Sequence, residues 1–208
     1  MIKIGVIGAG VMGGHHIRNL ASMNVELVGI SDIDKKRISE LSNTYNTKGF
    51  LDYKELINEG LDAAVVAVPT KLHKEVCDDL IENGVDVLVE KPIADSIENA
   101  KEIIDNAKKF NVKLSVGHIE RFNPAIQKLK ELIKNDTLGK IVTMSSKRVG
   151  PYNPRIRDVG IIIDLGVHDI DIMSFLLEEK VKTVYATGGK RMHLFEDYAT
   201  ILMTFGNS

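Results

Sequence analysis

Residues Ile2 to Leu20 read "IKIGVIGAGVMGGHHIRNL". "IKIGVIG" has the look of a buried strand, apolar and stopped by glycine, and "VMGGHHIRNLASM" that of the helix after it. Between them Gly8, Gly10 and Gly13 form G-x-G-x-x-G, and a strand-to-helix turn gives that pattern a mechanism. Gly8 permits the tight turn, Gly10 lets backbone approach a pyrophosphate, and Gly13 lets helix and strand pack closely. Val11 and Met12 complete the loop, where the helix N-terminus faces phosphate charge. Asp32 lies 19 positions after Gly13, ending the second strand. A carboxylate there accepts hydrogen bonds from an adenosine ribose and repels a 2′-phosphate, which favours NAD over NADP. The competing reading is an ordinary glycine turn with Asp32 as a helix cap. Lys35, Lys36 and Arg37 would attract a phosphate, although basic residues opening a surface helix are usually solvated.

Working outward, strand and helix signals keep alternating. "VELVGISD" is a strand, "IDKKRISELSNTY" a helix, "LDAAVVAVP" a strand ended by Pro69, and "KLHKEVCDDLIENG" a helix closed by Gly84. Strand "VDVLVEKP", helix "SIENAKEIIDNAKKF" and strand "VKLSVGH" follow. Strands apolar on both faces, alternating with helices, predict an α/β, doubly wound parallel sheet over residues 1–118.

From residue 119 to residue 208 the texture changes. "AIQKLKELIKN" is an amphipathic helix, "GKIVTMSSKRV" an alternating, half-buried strand, and "GPYNPRIRDVG" a loop. "DLGVHDIDIMSFLLE" is a helix, and "VKTVYATGGK" and "DYATILMTFGNS" are strands. Strands that do not alternate with helices predict an α+β domain with a mostly antiparallel open sheet. The last strand runs to the C-terminus with no closing element. Native proteins cover such an apolar edge, so a truncated chain or a covering subunit is expected.

The bulk numbers exclude other classes. Of 208 residues, 44% are hydrophobic and 27% charged, as in a soluble globular protein. A formal charge of -2 gives no reason to expect nucleic acid or an anionic membrane as partner. The single cysteine, Cys77, rules out an internal disulfide framework and fits a reducing cytoplasm. The apolar run in "MIKIGVIGAG" is too short to span a bilayer and stops at glycines, so a first strand is expected there and not a secretory signal.

Two strand ends attract chemistry. "AVPTKLH" places Pro69 and Thr70 near the crevice of a doubly wound sheet, with His73 one turn into the next helix. They contact the nicotinamide half of a dinucleotide, or Thr70 is only a cap. In "VEKP", Glu90 and Lys91 meet Pro92, which restricts Lys91 to extended geometry. Its ammonium would then stabilise alkoxide-like charge beside the cofactor, or the pair is simply exposed at a strand end.

These segments, with "GHIERFNP" and "DLGVHDID" in this order and spacing, resemble the glucose–fructose oxidoreductase / inositol dehydrogenase family (Gfo/Idh/MocA). The resemblance implies an N-terminal Rossmann domain, a C-terminal domain whose open sheet forms a homo-oligomer interface, and chains longer than this one. It implies hydride transfer between NAD(P) and a hydroxyl carbon of a sugar, cyclitol or related compound. Residue by residue, it makes Lys91 and the pair Asp164 and His168 catalytic. His168 is the acid/base on the substrate hydroxyl, while Glu90 joins the cofactor contacts and Arg121 and Asn123 line the substrate pocket. The segment "KRVGPYNPRIRDVGIIIDLGVHDID" looks most like members acting on UDP-N-acetylhexosamines at C3, such as UDP-N-acetylglucosamine. Arg121, Lys147, Arg148, Arg155 and Arg157 are then candidates for its diphosphate, and Arg155 is counted with Arg121 and Asn123 among the substrate-binding residues. Alternatives are a free sugar, an inositol, a dihydrodiol, or a non-catalytic dinucleotide-binding regulator.

The acidic cluster around His168 reads three ways: metal site, proton transfer, or helix surface and capping. A helix starting near Leu165 would place Asp164 at its N-cap and His168 one turn on, with Asp171 near the cleft and Asp169 pointing elsewhere. No second His or Cys stands at ligand spacing, so proton transfer is expected and a metal is not.

Overall fold

The computed structural model describes residues 1–150, 159–192 and 194–206. Arg155 and Arg157 lie outside the described residues. The chain divides into two compact units, Met1–Gly117 and His118–Ser208.

In the first unit, β1 (Lys3–Ile7), α1 (Val11–Ala21), β2 (Glu26–Ser31), α2 (Lys35–Tyr45), β3 (Lys48–Phe50) and α3 (Tyr53–Ile57) come in sequence. They are followed by β4 (Ala63–Val66), α4 (His73–Glu82), β5 (Asp86–Val89), α5 (Ile97–Lys109) and β6 (Leu114–Val116). The sheet order is β3-β2-β1-β4-β5-β6 with every pairing parallel. Alternation along each strand splits the core between the two faces. Val6, Ile30 and Val65 pack with Ile17 of α1. Ile7, Val66 and Val89 pack with Leu80 and Ile81 of α4 and Ile103 of α5. Both faces need apolar residues, hence the near-continuous apolar strands. Each such fully buried side chain contributes about 1.5–3 kcal/mol.

Local signals set the boundaries. Asp34 caps α2 by accepting from the Lys36 and Arg37 amides, and Ser96 caps α5 by accepting from Asn99. Gly84, at φ +73, turns the chain out of α4. Strand β3 and helix α3 have no counterpart in the periodicity reading, because they span only three and five residues. Strand β1 lies between β2 and β4, so the chain first builds the sheet to one side and then to the other. The crevice at the carboxyl ends of β1 and β4 is the switch point at which such sheets bind ligands.

The second unit contains α6 (Pro124–Lys134), α7 (Val167–Leu177), β7 (Val181–Gly189) and β8 (Tyr198–Phe205). The two strands pair antiparallel, with Val184 opposite Met203 and Tyr185 opposite Leu202. On β8, Ala199, Ile201 and Met203 are half-buried, while Tyr198, Thr200 and Leu202 are exposed. The half-buried face joins Leu165, Ile170 and Met173 around a cavity of about 150 Å³. The strand expected in "GKIVTMSSKRV" does not form, since residues 141–150 carry no ladder. Alternation there shows which side chains share a face, but a strand also needs a hydrogen-bonded neighbour, and among the described residues none pairs with it.

Candidate active site

The glycine loop is built as its spacing requires. Gly8 has φ +92, and a Cβ there would stand 2.6 Å from the Ala67 backbone. A Cβ on Gly13 would fall 1.8 Å from the Gly8 carbonyl oxygen, so α1 approaches β1 only over glycine. Gly10 differs: it has open space before it and opens α1 with no side-chain cap on the helix amides. That leaves backbone donors and positive helix-end charge for an anion. Val11 and Met12 stand exposed on the first turn.

Asp32 is held against this loop. Its Oδ2 accepts the Ala9 amide at 2.7 Å and its Oδ1 the Asp34 amide at 2.9 Å. Capping of α2 belongs to Asp34, so Asp32 is not the cap of that helix. Arg37 reaches Asp32 at 3.5 Å and Asp34 at 3.6 Å, which pairs its guanidinium with two carboxylates.

Beyond the ends of β4 and β5, the polar side chains of His73 and Glu90 are buried. Pro69 is exposed and Thr70 half-buried, at the start of a 3-10 turn over Thr70–Leu72 that has no side-chain cap. Thr70 is therefore not the cap that the sequence suggests. His73 is 1% exposed. Its Nδ1 lies 2.9 Å from the Pro92 carbonyl and its Nε2 3.0 Å from the Val68 carbonyl. With both nitrogens occupied, His73 ties the two strand-end loops together and does not present a nitrogen to a ligand. Glu90 is likewise buried, with Oε1 2.7 Å from His16 Nε2 and Oε2 accepting the Lys91 amide at 3.3 Å. The Glu90 side chain is thus engaged within the protein through both carboxylate oxygens. Burial pushes its carboxyl up, but the hydrogen bond and charge of His16, with the Lys91 amide and ammonium, outweigh it and hold Glu90 below the ordinary value. Lys91 follows, half-buried, before a cis peptide to Pro92.

In the second unit, Asp164 is not an N-cap. The helix begins earlier, with a π-helical turn over Ile162–Gly166 running into α7. Its first amides are met by Glu196: the Ile161 amide donates to the Glu196 carbonyl at 2.9 Å and the Ile162 amide to Oε1 at 3.3 Å. Asp164 thus stays inside the turn, half-buried, with His168 also half-buried one turn on. Asp171 continues that stripe. It takes Arg121 bidentately, at 2.9 Å from Nε and 2.5 Å from the terminal nitrogen, and lies 3.5 Å from His118 Nδ1. Phe175, a turn further, carries Arg121 and Lys130 over its ring at 5.5 and 4.5 Å. Asp169 faces the other way, to Ser146 at 2.8 Å and Arg148 at 2.7 Å. Asn123 caps α6, with Oδ1 accepting from Ala125, and its amide donates to Glu120.

Two sequence models place this architecture. One, described as the oxidoreductase family with NAD-binding Rossmann fold (GFO_IDH_MocA), matches residues 2–118. The other, the GFO/IDH/MocA C-terminal domain, matches residues 126–208. The chain belongs to the Gfo/Idh/MocA family. It is 31% identical over 206 residues to UDP-N-acetylglucosamine 3-dehydrogenase of Acidithiobacillus ferrooxidans, covering 99% of this chain and 64% of that protein. It is 33% identical over 225 residues to glucose-6-phosphate 3-dehydrogenase of Bacillus subtilis, covering 97% of this chain and 63% of the relative. A solved structure of the Acidithiobacillus enzyme superposes with a TM-score of 0.89 over 98% of this chain and 63% of that one, at 30% identity. The chain therefore spans just under two thirds of the length of these relatives.

As a Gfo/Idh/MocA chain, the protein carries the glycine loop and Asp32 in the unit that the family description calls NAD-binding. The open approach at Gly10 and the uncapped start of α1 fit a dinucleotide pyrophosphate. Arg121, Arg148 and Asn123 are tied to protein partners. Sequence reasoning passed over His16, His118 and Glu196. The only local signal for His16 was its position one turn after Gly13. Among the described residues no cluster of His, Cys, Asp and Glu suits a metal ion, and no helix is long and apolar enough to cross a membrane.

Proposed function

We propose that the protein is an NAD-dependent dehydrogenase that oxidises a secondary hydroxyl of a sugar, with UDP-N-acetylglucosamine, at C3, as the favoured substrate. The observation that carries the reading is the pair Asp164 and His168. The two lie one turn apart, Asp164 in the π-helical turn over Ile162–Gly166 and His168 in α7, and Glu196 meets the first amides of that helix. In this reading His168 takes the hydroxyl proton, and Asp164 supports the positive charge that the imidazole gains. Lys91 donates to the reacting oxygen and steadies its developing negative charge. NAD, bound over the glycine loop with its ribose on Asp32, accepts the hydride from the same carbon. The alcohol loses a hydride and a proton, and a ketone, NADH and a His168-borne proton result.

The substrate rests on likeness to the Acidithiobacillus enzyme, which matches 99% of this chain. Glucose-6-phosphate 3-dehydrogenase and a myo-inositol 2-dehydrogenase of Thermotoga maritima match at 33% and 31% identity, so a sugar phosphate or an inositol is the second reading. We place the protein in the cytoplasm as a homo-oligomer joined through the exposed face of β7 and β8. Tyr185 and Leu202 lie there, 71% and 66% exposed. The test is NADH formation with NAD and each of UDP-N-acetylglucosamine, glucose 6-phosphate and myo-inositol. Turnover with the nucleotide sugar above the other two is expected. Turnover with only one of the others would move the substrate, and none with any would remove the reading.

A further inference from the structure

We propose that His16 is a positioning residue for hydride transfer: from α1 it holds the Glu90 carboxylate, and through it the strand end that carries Lys91. The proposal rests on the dehydrogenase reading above and adds a residue outside the expected site.

Three observations carry it. First, the contact is short and enclosed. His16 Nε2 and Glu90 Oε1 are 2.7 Å apart, and their side chains are 18% and 9% exposed. An ionised carboxylate only accepts hydrogen bonds, so Nε2 must carry the proton and the imidazole's orientation is fixed. Second, the carboxylate has little freedom. A Cβ on Gly117 would come 3.2 Å from it, and its other oxygen takes the Lys91 amide. The charged groups acting on it are His16 from α1 and Lys91 next in the chain. Third, the pair links two working parts. His16 stands on the helix that Gly10 opens, and Glu90 directly follows β5 with its amide bonded to the Val66 carbonyl of β4.

Stability alone is a poor reason for this pair. Well-packed apolar residues of similar volume usually serve a fold as well as a buried ion pair does. What they could not do is fix the polarity and direction of the peptide that launches Lys91. Without His16, Glu90 keeps the burial that raises its carboxyl and loses the partner that lowers it, so its hold on the Lys91 amide weakens.

The experiment compares wild type, His16→Ala and His16→Gln, whose amide N–H replaces Nε2–H. Three quantities are measured: turnover against pH, KM for NAD, and hydrogen exchange at the Lys91 amide. Wild-type turnover checks the dehydrogenase reading by itself. His16→Ala is expected to lower kcat on the order of 10- to 100-fold, as small displacements of catalytic groups do. KM for NAD should change far less, and the acid limb of the kcat profile should move to higher pH. Lys91 exchange should quicken by a comparable factor, which reads the positioning whether or not the sugar chosen turns over. His16→Gln should restore both. The proposal is overturned if His16→Ala leaves Lys91 exchange unchanged. It is also overturned if an active wild type gives an alanine variant with unaltered kcat and pH profile.

Discussion

At Asp32 a single carboxylate links local backbone and ligand choice. It accepts two amides, from Ala9 and Asp34, and it stands where a ribose is expected. Asp32→Asn keeps one acceptor oxygen and removes the charge. NAD should bind about tenfold more weakly, roughly 1.4 kcal/mol, while discrimination against NADP falls; fluorescence titration with both dinucleotides measures this. Glu90 yields a pH prediction. Its folded carboxyl sits below the ordinary value, so its contribution to stability is complete above that value, about 4.3. The contribution is lost as pH falls through the lower folded value. Urea midpoints of wild type and Glu90→Gln should therefore differ most near neutrality and converge on acidification below about pH 4. A gap that widens in acid would contradict the assignment. Arg121 was expected at substrate and is found braced on Asp171, which its spacing from Asp171 in the chain could not reveal. Arg121→Leu should lower the melting temperature of the second unit, and Arg121→Lys should restore it only in part, because lysine lacks the planar fork.

Elements long enough to show a period were legible, and the reason is physical. The first sheet is buried on both faces, so its strands are apolar throughout and its helices amphipathic. Strand β3 and helix α3 are too short to carry a period, and residues 141–150 alternate but, among the described residues, have no neighbour to pair with. The start of α7 was misplaced for a different reason. Its cap is Glu196, which reaches it from beyond β7, and Gly160 admits that carboxylate because a Cβ would stand only 2.0 Å from it. Glu196→Ala should cost about 1 kcal/mol, as loss of a helix cap does, and should lower turnover by loosening Asp164 and His168. Chemical denaturation and steady-state kinetics on the same variant measure both. In α4, burial pushes the Cys77 thiol up to about 12. It should resist alkylation in native protein and react on unfolding.

For the whole molecule, the G-x-G-x-x-G loop was legible as a local pattern with its own mechanism, whereas the roles proposed for Lys91, Asp164 and His168 lean on the resemblance to the family. Less legible were the second contacts that set those groups in place. His16 meets Glu90 across 74 positions and Arg121 meets Asp171 across 50, and no periodicity spans such distances. His73 likewise reaches the Pro92 carbonyl 19 positions on, a contact that no local pattern displays. The central claim is that this Gfo/Idh/MocA chain moves a hydride from a sugar carbon to NAD. The most direct measurement incubates the protein with NAD and UDP-N-acetylglucosamine deuterated at C3, then weighs the reduced dinucleotide by mass spectrometry. Deuterium on the nicotinamide ring, absent in the His168→Ala variant, is the predicted result. Unlabelled NADH would place the reacting carbon elsewhere on the sugar, and no reduction with this substrate, glucose 6-phosphate or myo-inositol would contradict the claim.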